Sequence, residues 1–473
     1  MVGAMQAILE AQRAAFMAEL PVSAATRQDR LRRAVSMIAD NSQRFCDALS
    51  KDFGHRSHEQ SMLTDIAASV APLRHAQKQL ARWMRDDRRP VIFPLNLLGA
   101  KAWVEYQPKG VIGIIAPWNF PVNLVMSPLA GVLAAGNRAM VKTSEYTPRI
   151  AGLFEELAPR YFDASEVAFV SGGPDVGKAF AELPFDHLLF TGATGIARHI
   201  LHAAADNLTP VTLELGGKSP VVIGRSADMA RATERVVIGK MMNAGQICLA
   251  PDYLLVPAER EEEAVAALKA AASALYPTLL DNPDYTAIIN DRHHQRLAGW
   301  IDDARAKGAE VIAVNPANED FAASNSRKMP LHIVRGATDD MTVMQEEIFG
   351  PILPVRSYDT IDEAIGEVNR RDRPLALYHF GTDPGERRRL LDRTISGGVT
   401  LDDVVFHVSQ EELPFGGIGP SGMGAYHGEA GFRTFSHARS VYQQPKIDVA
   451  KLGGLKPPYG ANTRRSVARQ MKG

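Results

Sequence analysis

The stretch VIGIIAPWNFPVNLVMSPLAGVLAAGNRAMVKTSE, residues 111–145, decides the fold of this chain. Two short apolar runs, 111–116 and 139–142, have the length of strands, and they enclose a segment, 122–135, that has the length of a helix. Apolar strands without polar alternation are typical of a parallel sheet that helices cover on both faces. The stretch therefore predicts one strand–helix–strand unit of an α/β protein.

The same alternation continues towards the C-terminus. Further strands are predicted at 167–170, 187–191, 220–223 and 253–256, and further helices at 149–161, 176–183, 194–205, 229–242 and 260–274. Repeated strand–helix units predict a doubly wound architecture of the kind that binds nucleotides. Because the alternation goes on after Glu214, a second α/β domain is expected there.

The residues before this unit have a different pattern. The first 85 residues are predicted to be helical, and an apolar stripe near the helical period predicts one amphipathic helix within them. Its members are Leu31, Val35, Ile38, Phe45 and Leu49. Prolines and glycines then interrupt 86–99, and the strand-like piece 101–107 is predicted to leave the first domain.

Length and composition limit the class of protein. The chain has 473 residues and a formal net charge of −1, which predicts about two to four domains and no global attraction to nucleic acid or anionic lipid. Cys46, interpreted as a structural thiol, and Cys248 could form at most one disulfide, which fits a reducing compartment. The sequence shows no signal peptide and no uncharged apolar run of about 18 residues. We therefore expect a soluble, cytoplasmic protein with neither a nucleic-acid nor a membrane partner, and we assign no metal site.

Three glycine motifs are candidates for nucleotide binding. GIGPSG, at 417–422, matches a dinucleotide pattern by spacing, but no predicted strand precedes it and Pro420 lies inside it. GGKS, at 216–219, lacks the first glycine of a phosphate-binding loop. FTGATG, at 190–195, closes a predicted strand and opens a predicted helix, where free N–H groups can face a pyrophosphate. An ordinary strand–helix turn is the alternative for this third motif.

Two polar segments could hold the rest of a dinucleotide. Lys142 and Glu145 follow a predicted strand and could bind the hydroxyls of a ribose, and a carboxylate there disfavours a 2′-phosphate. In QEEIFGP, Glu346 and Glu347 offer carboxylates for ribose hydroxyls, and Phe349 offers a ring to pack on a nicotinamide. A solvated strand end and a plain turn are the respective alternatives.

Three residues are candidates for catalysis. Cys248 follows a polar, glycine-bearing turn, where we expect a partly exposed thiol whose pKa backbone N–H groups lower; a buried structural cysteine is the alternative. Glu214, in LELGGKSP, could be a general base or a surface turn residue. Asn119, between Pro117 and Pro121, could donate to an oxyanion or cap the following helix.

The joint order of these motifs resembles the aldehyde dehydrogenase superfamily along nearly the whole chain. The motifs are PWNFP, VKTSE, FTGATG, LELGGKSP, GQICLAP, EEIFGP and LPFGGIGPSGMG, in that order. The ending PFGGIGPSGMGAYHGEAGFRTFSH is similar to the class 3 branch. DFGHRSHEQSMLTDIA and AADNLTPVTLELGGKSP look similar to bacterial coniferyl aldehyde dehydrogenases.

The resemblance implies an α/β fold with a doubly wound cofactor domain, an α/β catalytic domain and a small bridging β element. The cofactor domain would comprise 1–85 and 106–212, and the catalytic domain 213–410. The bridging element, which would also pair subunits into a homodimer, would comprise 86–105 and 411–445. A tail at 446–473 would follow.

The resemblance also implies a role for each candidate residue. Cys248 would be the nucleophile, Glu214 the general base, and Asn119 with the Cys248 backbone N–H the oxyanion hole. The implied cofactor is NAD, with NADP as the alternative. Its predicted contacts are Trp118, Lys142, Glu145, Thr191, Gly192, Gly195, Leu215, Glu347 and Phe349. The chain departs from the family at Ala197, where a glycine is usual, at Gly195, where a larger residue is common, and at Asp402, where asparagine is common.

The implied reaction is the oxidation of an aldehyde to a carboxylic acid through a thioester on Cys248. Coniferyl or another aromatic aldehyde is the expected substrate. Three alternatives remain: a medium- or long-chain aliphatic aldehyde, an enzyme that transfers the acyl group to coenzyme A, and a binding protein similar to a lens crystallin. Candidates for the substrate tunnel are Tyr106, Trp118, Met126, Phe406 and His407.

Overall fold

The structure, a computed structural model, describes residues 2–93 and 95–472. Met1, Pro94 and Gly473, which belong to the predicted cofactor, bridging and tail segments, lie outside the described residues. The helices are α1 Val2–Glu19, α2 Ala24–Ala39, α3 Ser42–Phe53, α4 His58–Ser61, α5 Ala68–Trp83, α6 Asn123–Ala134, α7 Pro148–Tyr161, α8 Pro174–Ala181, α9 Thr194–Asp206, α10 Met229–Met241, α11 Glu261–Leu275, α12 Asp291–Ala306, α13 Thr342–Gln345, α14 Ile361–Asn369, α15 Pro384–Arg393, α16 Gly428–Thr434, α17 Val449–Leu452 and α18 Ala461–Lys472. A π-helix, Met62–Ala67, joins α4 to α5, and 3-10 turns occur at Met242–Gly245, Ala258–Arg260 and Phe406–Ser409.

The strands form three sheets. They are β1 Asp87–Arg89, β2 Lys101–Pro108, β3 Val111–Ile115, β4 Arg138–Lys142, β5 Val167–Val170, β6 His187–Thr191, β7 Val211–Glu214, β8 Pro220–Ile223, β9 Tyr253–Pro257, β10 Glu310–Val314, β11 Leu331–Arg335, β12 Ile352–Tyr358, β13 Ala376–Phe380, β14 Gly398–Leu401, β15 Gly422–Met423 and β16 Ser436–Gln443. This mixture of helices and mainly parallel strands confirms the predicted α/β class.

The six-stranded sheet has the order β15-β7-β6-β3-β4-β5, and its strands are parallel except for β15. Ile112 and Ile114 of β3 lie in one buried cluster, and Val111 and Ile115 lie in another. Because neighbouring side chains of a strand point to opposite faces, helices cover both faces of this sheet. That arrangement explains the unbroken apolar run that opens the decisive stretch.

The seven-stranded sheet has the order β10-β11-β12-β9-β8-β13-β14, and only its edge strand β10 is antiparallel to its neighbour. The chain passes from the first sheet to the second between β7 and β8, across residues 215–219. In parallel sheets, ligands bind outside the carboxyl ends of the strands. Glu214 is the last residue of β7, so it lies at that edge and next to the passage between the sheets.

A three-stranded antiparallel sheet combines β1, β2 and β16. The predicted bridging segment 411–445 contributes to two sheets, because β15 pairs with β7 while β16 pairs with β2. The motif GIGPSG, residues 417–422, leads into β15, and within it the Gly422 N–H donates to the Gly419 carbonyl at 3.1 Å. The division of the chain into domains remains a prediction.

The helical stripe predicted across 31–49 is wrong as a single helix. α2 ends at Ala39 and α3 begins at Ser42, and Asn41 between them has a non-helical ψ of 14°. Asparagine favours such positions because its short side chain competes for backbone hydrogen bonds. Across 2–93 and 95–472, the helices are all too short or too polar to cross a membrane.

Candidate active site

Glu214 ends β7 with its carboxylate inside the protein. Its residue exposure is 3%, and neither carboxylate oxygen has a hydrogen-bond partner among the described residues. Burial raises the pKa of the Glu214 carboxyl well above its ordinary value. Such a carboxylate can accept a proton from a molecule that enters the site.

Cys248 follows a loop with an unusual backbone. Asn243, Ala244 and Gly245 all have positive φ, at 50°, 52° and 75°. A Cβ on Gly245 would lie 2.4 Å from the Gly350 carbonyl oxygen, so only glycine fits there. Such strain persists only where the surroundings fix the backbone, and it often accompanies active sites.

The side chain of Gln246 fixes this loop. Its Nε2 donates to the carbonyls of Asn243, at 2.9 Å, and Ala287, at 3.1 Å. Its Oε1 accepts the N–H of Ile289 at 2.9 Å. The loop that presents Cys248 is therefore held rigidly against the segment before α12.

The Cys248 thiol is half-buried, and its pKa is raised. Burial is the largest cause, followed by the charges of Glu347 and Glu214, while the N–H groups of Cys248 and Leu249 act in the opposite direction. The expectation of a lowered pKa is thus wrong, because burial and two carboxylates outweigh the backbone donors. Both glutamates lie near enough to affect the thiol electrostatically.

Asn119 lies between β3 and α6 and is buried. Its Nδ2 donates to the Gln246 carbonyl at 3.2 Å, which brings the amide to the loop of Cys248. The alternative role, capping α6, does not hold, because Asp65 accepts the N–H groups of Val122 and Asn123. An amide carries two N–H bonds, so one remains to face a reacting group.

The candidate cofactor residues lie at the carboxyl end of the six-stranded sheet. Trp118 follows β3, Lys142 ends β4, Thr191 ends β6 and Leu215 follows β7. The buried Lys142 ammonium donates to Glu145 Oε2 at 3.1 Å, and Glu145 is exposed. The Leu215 N–H donates to the Ser421 carbonyl at 3.1 Å, so its amide binds the protein itself.

The glycine-rich turn before α9 explains two departures from the family pattern. The Gly192 N–H donates to the Glu214 carbonyl at 3.0 Å, and a Cβ on Gly192 would lie 2.6 Å from the Phe190 ring. A Cβ on Gly195 would meet no described atom within 4 Å, so the position is open. Ala197 is buried in the first turn of α9 and packs in the core.

Glu347 and Phe349 lie between α13 and β12. Lys218 holds this segment by donating to the carbonyls of Val343, at 2.7 Å, and Glu346, at 2.9 Å. Burial, followed by the charge of Asp252, raises the pKa of Glu347 to about 8. A Cβ on Gly216 would lie 2.1 Å from Glu347 Oε1, so the glycine after Leu215 admits this carboxylate.

An aromatic group borders the loop of Glu347. Phe349 has a φ of 50°, and its ring meets Trp118 edge-on with centroids 5.3 Å apart. His293, which sequence reasoning missed, lies 5.2 Å from the Trp118 ring. Burial lowers the pKa of His293 to about 4, so the imidazole is neutral.

Tyr426 is a second residue that sequence reasoning missed. The charges of Glu214 and Cys248 add to burial in raising the pKa of the Tyr426 hydroxyl, so this side chain is near both. Its backbone pairs with Phe415 through hydrogen bonds of 2.8 and 2.9 Å. Tyr426 lies in GAYHG, a segment whose spacing to Glu214 carries no recognisable signal.

The predicted tunnel candidates divide. Met126 is completely buried within α6, and the half-buried Tyr106 packs on Phe432 with centroids 5.9 Å apart. Phe406 is exposed, and His407 Nδ1 contacts Thr400 Oγ1 at 2.8 Å. Asp402, where asparagine is common in the family, has a φ of 57° and accepts a hydrogen bond from Arg387 at 2.6 Å. Aspartate tolerates this left-handed backbone, so Asp402 stabilises a turn.

Comparison with known proteins gives consistent matches. The model of the aldehyde dehydrogenase family matches residues 3–441. A Caulobacter vibrioides protein named "Probable coniferyl aldehyde dehydrogenase" is 55% identical over 99% of this chain and 97% of its own length. The "Coniferyl aldehyde dehydrogenase" of a Pseudomonas species is 51% identical over 96% and 93%. A solved structure described as "Substrate bound state of Staphylococcus Aureus AldH" has a TM-score of 0.91 and 33% identity, covering 98% of this chain and 99% of that one.

Proposed function

This chain belongs to the aldehyde dehydrogenase family and is an NAD(P)-dependent aldehyde dehydrogenase, and we propose that it oxidises coniferyl or a related aromatic aldehyde to the free carboxylic acid. The names of the two bacterial relatives support the substrate class. The free acid as product is supported by one feature of the site, the buried Glu214 carboxylate beside Cys248.

Glu214 is the main support for the free acid as product, because neither of its carboxylate oxygens has a hydrogen-bond partner among the described residues. A carboxylate committed to an ion pair would be a poor base, whereas a carboxylate whose pKa is raised by burial takes a proton from water more readily. Transfer of the acyl group to coenzyme A needs no such base. The acylating alternative is therefore disfavoured.

In the proposed first step, the Cys248 thiol gives its proton to water and Sγ attacks the aldehyde carbon. The free N–H of Asn119 and the backbone N–H of Cys248 then face the oxyanion of the thiohemiacetal. Each such donor contributes roughly 3–4 kcal/mol in comparable sites.

NAD(P), when bound, supplies the acceptor for the hydride that leaves the thiohemiacetal carbon. Observations at the strand ends fit this cofactor. Within the described residues, Glu347 Oε1 and Thr191 Oγ1 are enclosed polar atoms without a partner. The open surface at Gly195 lies at the start of α9, where helix N–H groups suit a phosphate. Lys142, Glu145, Glu347 and Phe349 would complete the contacts, with Trp118, Gly192 and Leu215 bordering them.

In the second step, Glu214 removes a proton from water, the water oxygen attacks the thioester carbon, and the bond to Sγ breaks as the proton passes from Glu214 to Sγ. The products are the carboxylic acid and the regenerated Cys248 thiol. The strained loop of Asn243 and Gly245 keeps the sulfur in place through both steps.

Two cysteine variants test the nucleophile. We expect Cys248→Ala to abolish aldehyde-dependent reduction of NAD, because no thioester can form. Cys46→Ala is the matched control, since Cys46 is buried and its pKa is raised to about 11. Dehydrogenation retained by Cys248→Ala would refute the mechanism and would reopen the crystallin-like alternative.

A substrate series tests the specificity. The value of kcat/KM is measured for the wild-type protein with coniferaldehyde, benzaldehyde and hexanal, and the three values are compared. We expect coniferaldehyde to exceed hexanal by about two- to tenfold, because packing of its ring on aromatic side chains adds about 0.5–1.5 kcal/mol beyond its buried area. Equal or higher values for hexanal would favour the aliphatic alternative.

A homodimer and a cytoplasmic location also remain part of this proposal. The strands β1 and β16 are the free edges of the three-stranded sheet, and such edges suit pairing with a second copy. The two free cysteines suit a reducing compartment. Sedimentation of the purified protein would test the dimer.

A further inference from the structure

We propose that the buried ion pair of Arg56 and Asp65 positions Asn119, and that Arg56 therefore controls the rate of the chemical step without touching the substrate. This inference rests on the proposed function, because that function assigns Asn119 to the oxyanion. Both residues lie in DFGHRSHEQSMLTDIA, residues 52–67, a segment that has so far received no role.

The pair binds the chain at Asn119 and at the residues that follow it. Arg56 Nη1 donates to the Asn119 backbone carbonyl at 3.0 Å, and Nη2 donates to Asp65 Oδ2 at 2.6 Å. Asp65 Oδ1 accepts the N–H groups of Val122, at 3.1 Å, and Asn123, at 3.3 Å. The turn that carries Asn119 is thus fixed at the Asn119 carbonyl and where the turn enters α6.

Both charges are completely enclosed. The side chains of Arg56 and Asp65 have 0% exposure. The guanidinium lies 4.9 Å from the Phe53 ring centroid and 5.0 Å from that of Phe120. Replacement of a buried ion pair by apolar residues is often neutral or stabilising by about 1–4 kcal/mol. Stability alone therefore does not account for this pair, and the contact with Asn119 does.

The helix that carries Asp65 has a local irregularity. Residues Met62–Ala67 form a π-helix between α4 and α5, and Asp65 and Ile66 are its buried residues. Such wide turns are rare and frequently accompany functional sites. Here the irregular turn carries the carboxylate that holds the Asn119 turn.

The loop of Cys248 holds Asn119 from the opposite direction. Asn243 Nδ2 donates to the Asn119 carbonyl at 3.2 Å and to the Gln246 carbonyl at 3.2 Å. The same Gln246 carbonyl accepts Nδ2 of Asn119. The Asn119 carbonyl thus receives two donors, one from the nucleophile's loop and one from Arg56. Loss of Arg56 would leave the Asn119 backbone carbonyl with the donor from Asn243 only. The free N–H of the Asn119 side chain would then be oriented less accurately.

Arg56→Lys is the first test. Lysine keeps the positive charge but has a single nitrogen on a flexible stem, so it cannot bind Asn119 and Asp65 with fork geometry. We expect kcat for coniferaldehyde to fall roughly tenfold to a hundredfold, as small misplacements of catalytic groups do. The KM for the aldehyde should change by less than about threefold, because the substrate does not contact Arg56.

Arg30→Lys is the matched control. Arg30 is also a buried arginine of the N-terminal helices, but among the described residues it donates to Glu19 and Glu166 and not to Asn119. Its variant should lose thermal stability without losing kcat. Equal losses of kcat in Arg56→Lys and Arg30→Lys would overturn the inference, since they would indicate a general effect on folding.

A double-mutant cycle separates positioning from a structural role. If Arg56 acts through Asn119, Arg56→Lys should have no further effect in an Asn119→Ala background. Additive losses would overturn the inference. If wild-type protein oxidised no aldehyde, the proposed function would fail instead, and the two failures are therefore distinguishable.

An apolar pair keeps the inference testable if Arg56→Lys does not fold. Arg56→Met with Asp65→Leu removes both charges together, a change that buried pairs often tolerate. We expect a folded protein with normal alkylation of Cys248 by iodoacetamide and a reduced kcat. A folded double variant with wild-type kcat would overturn the inference.

Discussion

Two glutamates next to Cys248 differ in what surrounds them. Glu214, at the end of β7, has burial as the single cause that raises its pKa. Glu347, in the loop before β12, has burial and Asp252 raising its pKa, while the Gly217 N–H and the cations of Lys218 and Arg296 lower it. The first carboxyl stands apart from other charges, and the second belongs to a charged network.

This difference in surroundings indicates different roles for the two carboxyl groups. A carboxyl governed by burial changes its charge easily when water or a proton arrives, which suits a base. A carboxyl group held by an N–H donor and two neighbouring cations keeps its orientation, which suits the binding of hydroxyl groups. The two glutamates near the Cys248 thiol thus have different roles, Glu214 as a base and Glu347 in binding hydroxyl groups. Removal of one carboxylate should therefore change the kinetics differently from removal of the other.

The largest effect is expected from Glu214→Gln. Steady-state turnover should fall by about 10²–10⁴-fold, because a general base contributes that much, while the first burst of NADH remains. Wild-type hydrolysis should accelerate with rising pH as the Glu214 carboxyl, whose pKa is raised, loses its proton, and the variant should lack this dependence.

Mass spectrometry of the variant after mixing with aldehyde and NAD should find an acyl group on Cys248. Glu346→Gln is the control, since Glu346 is an exposed neighbour of Glu347. Normal steady-state turnover in Glu214→Gln would contradict the role of Glu214 as base. The proposed difference in role between Glu214 and Glu347 would then be lost.

Much of the fold could be predicted from the sequence, because strands buried on both faces need unbroken apolar runs such as 111–116. What the sequence did not show depends on distant pairing. β15 has only two residues, and its existence depends on the edge of β7. The break between α2 and α3 was missed because the apolar period continues across Asn41.

The candidate site divides in the same way. Cys248, Glu214 and Asn119 could be proposed because glycines and prolines beside them mark rigid loops. Tyr426 and Arg56 could not, since they reach the site from segments whose distance along the chain carries no pattern. The direction of the Cys248 pKa shift was also beyond the sequence, because it depends on how closely two remote carboxylates approach the thiol.

A moderate effect is expected from Glu347→Gln. The KM for NAD should rise roughly tenfold, since a hydrogen bond to a charged acceptor is worth about 1.5–3 kcal/mol. In wild-type protein this KM should fall as pH rises through the Glu347 pKa of about 8, because the ionised carboxylate accepts more strongly. The variant should show a flat profile, with Glu346→Gln behaving as wild type.

Glu347→Gln should also change the reactivity of the Cys248 thiol. The Glu347 charge raises the Cys248 pKa, so at pH values above 8 its removal should speed alkylation of Cys248 by iodoacetamide. A slow burst in place of a raised KM would instead give Glu347 a part in the chemistry, and the distinction from Glu214 would be lost.

The smallest effect is expected from Glu145→Gln, which extends the comparison to an exposed carboxylate. Glu145 pairs with the buried ammonium of Lys142 at 3.1 Å, and its charge would repel a 2′-phosphate. Removal of the charge should free Lys142 for that phosphate and raise the ratio of kcat/KM for NADP to that for NAD. Because exposed pairs are worth about 0.2–1 kcal/mol, the ratio should rise by about fivefold or less. The gain should shrink at high ionic strength, since salt screens exposed charges. Glu155→Gln, a change of an exposed glutamate on α7, is the control, and an unchanged ratio in Glu145→Gln would show that the carboxylate does not select between the cofactors.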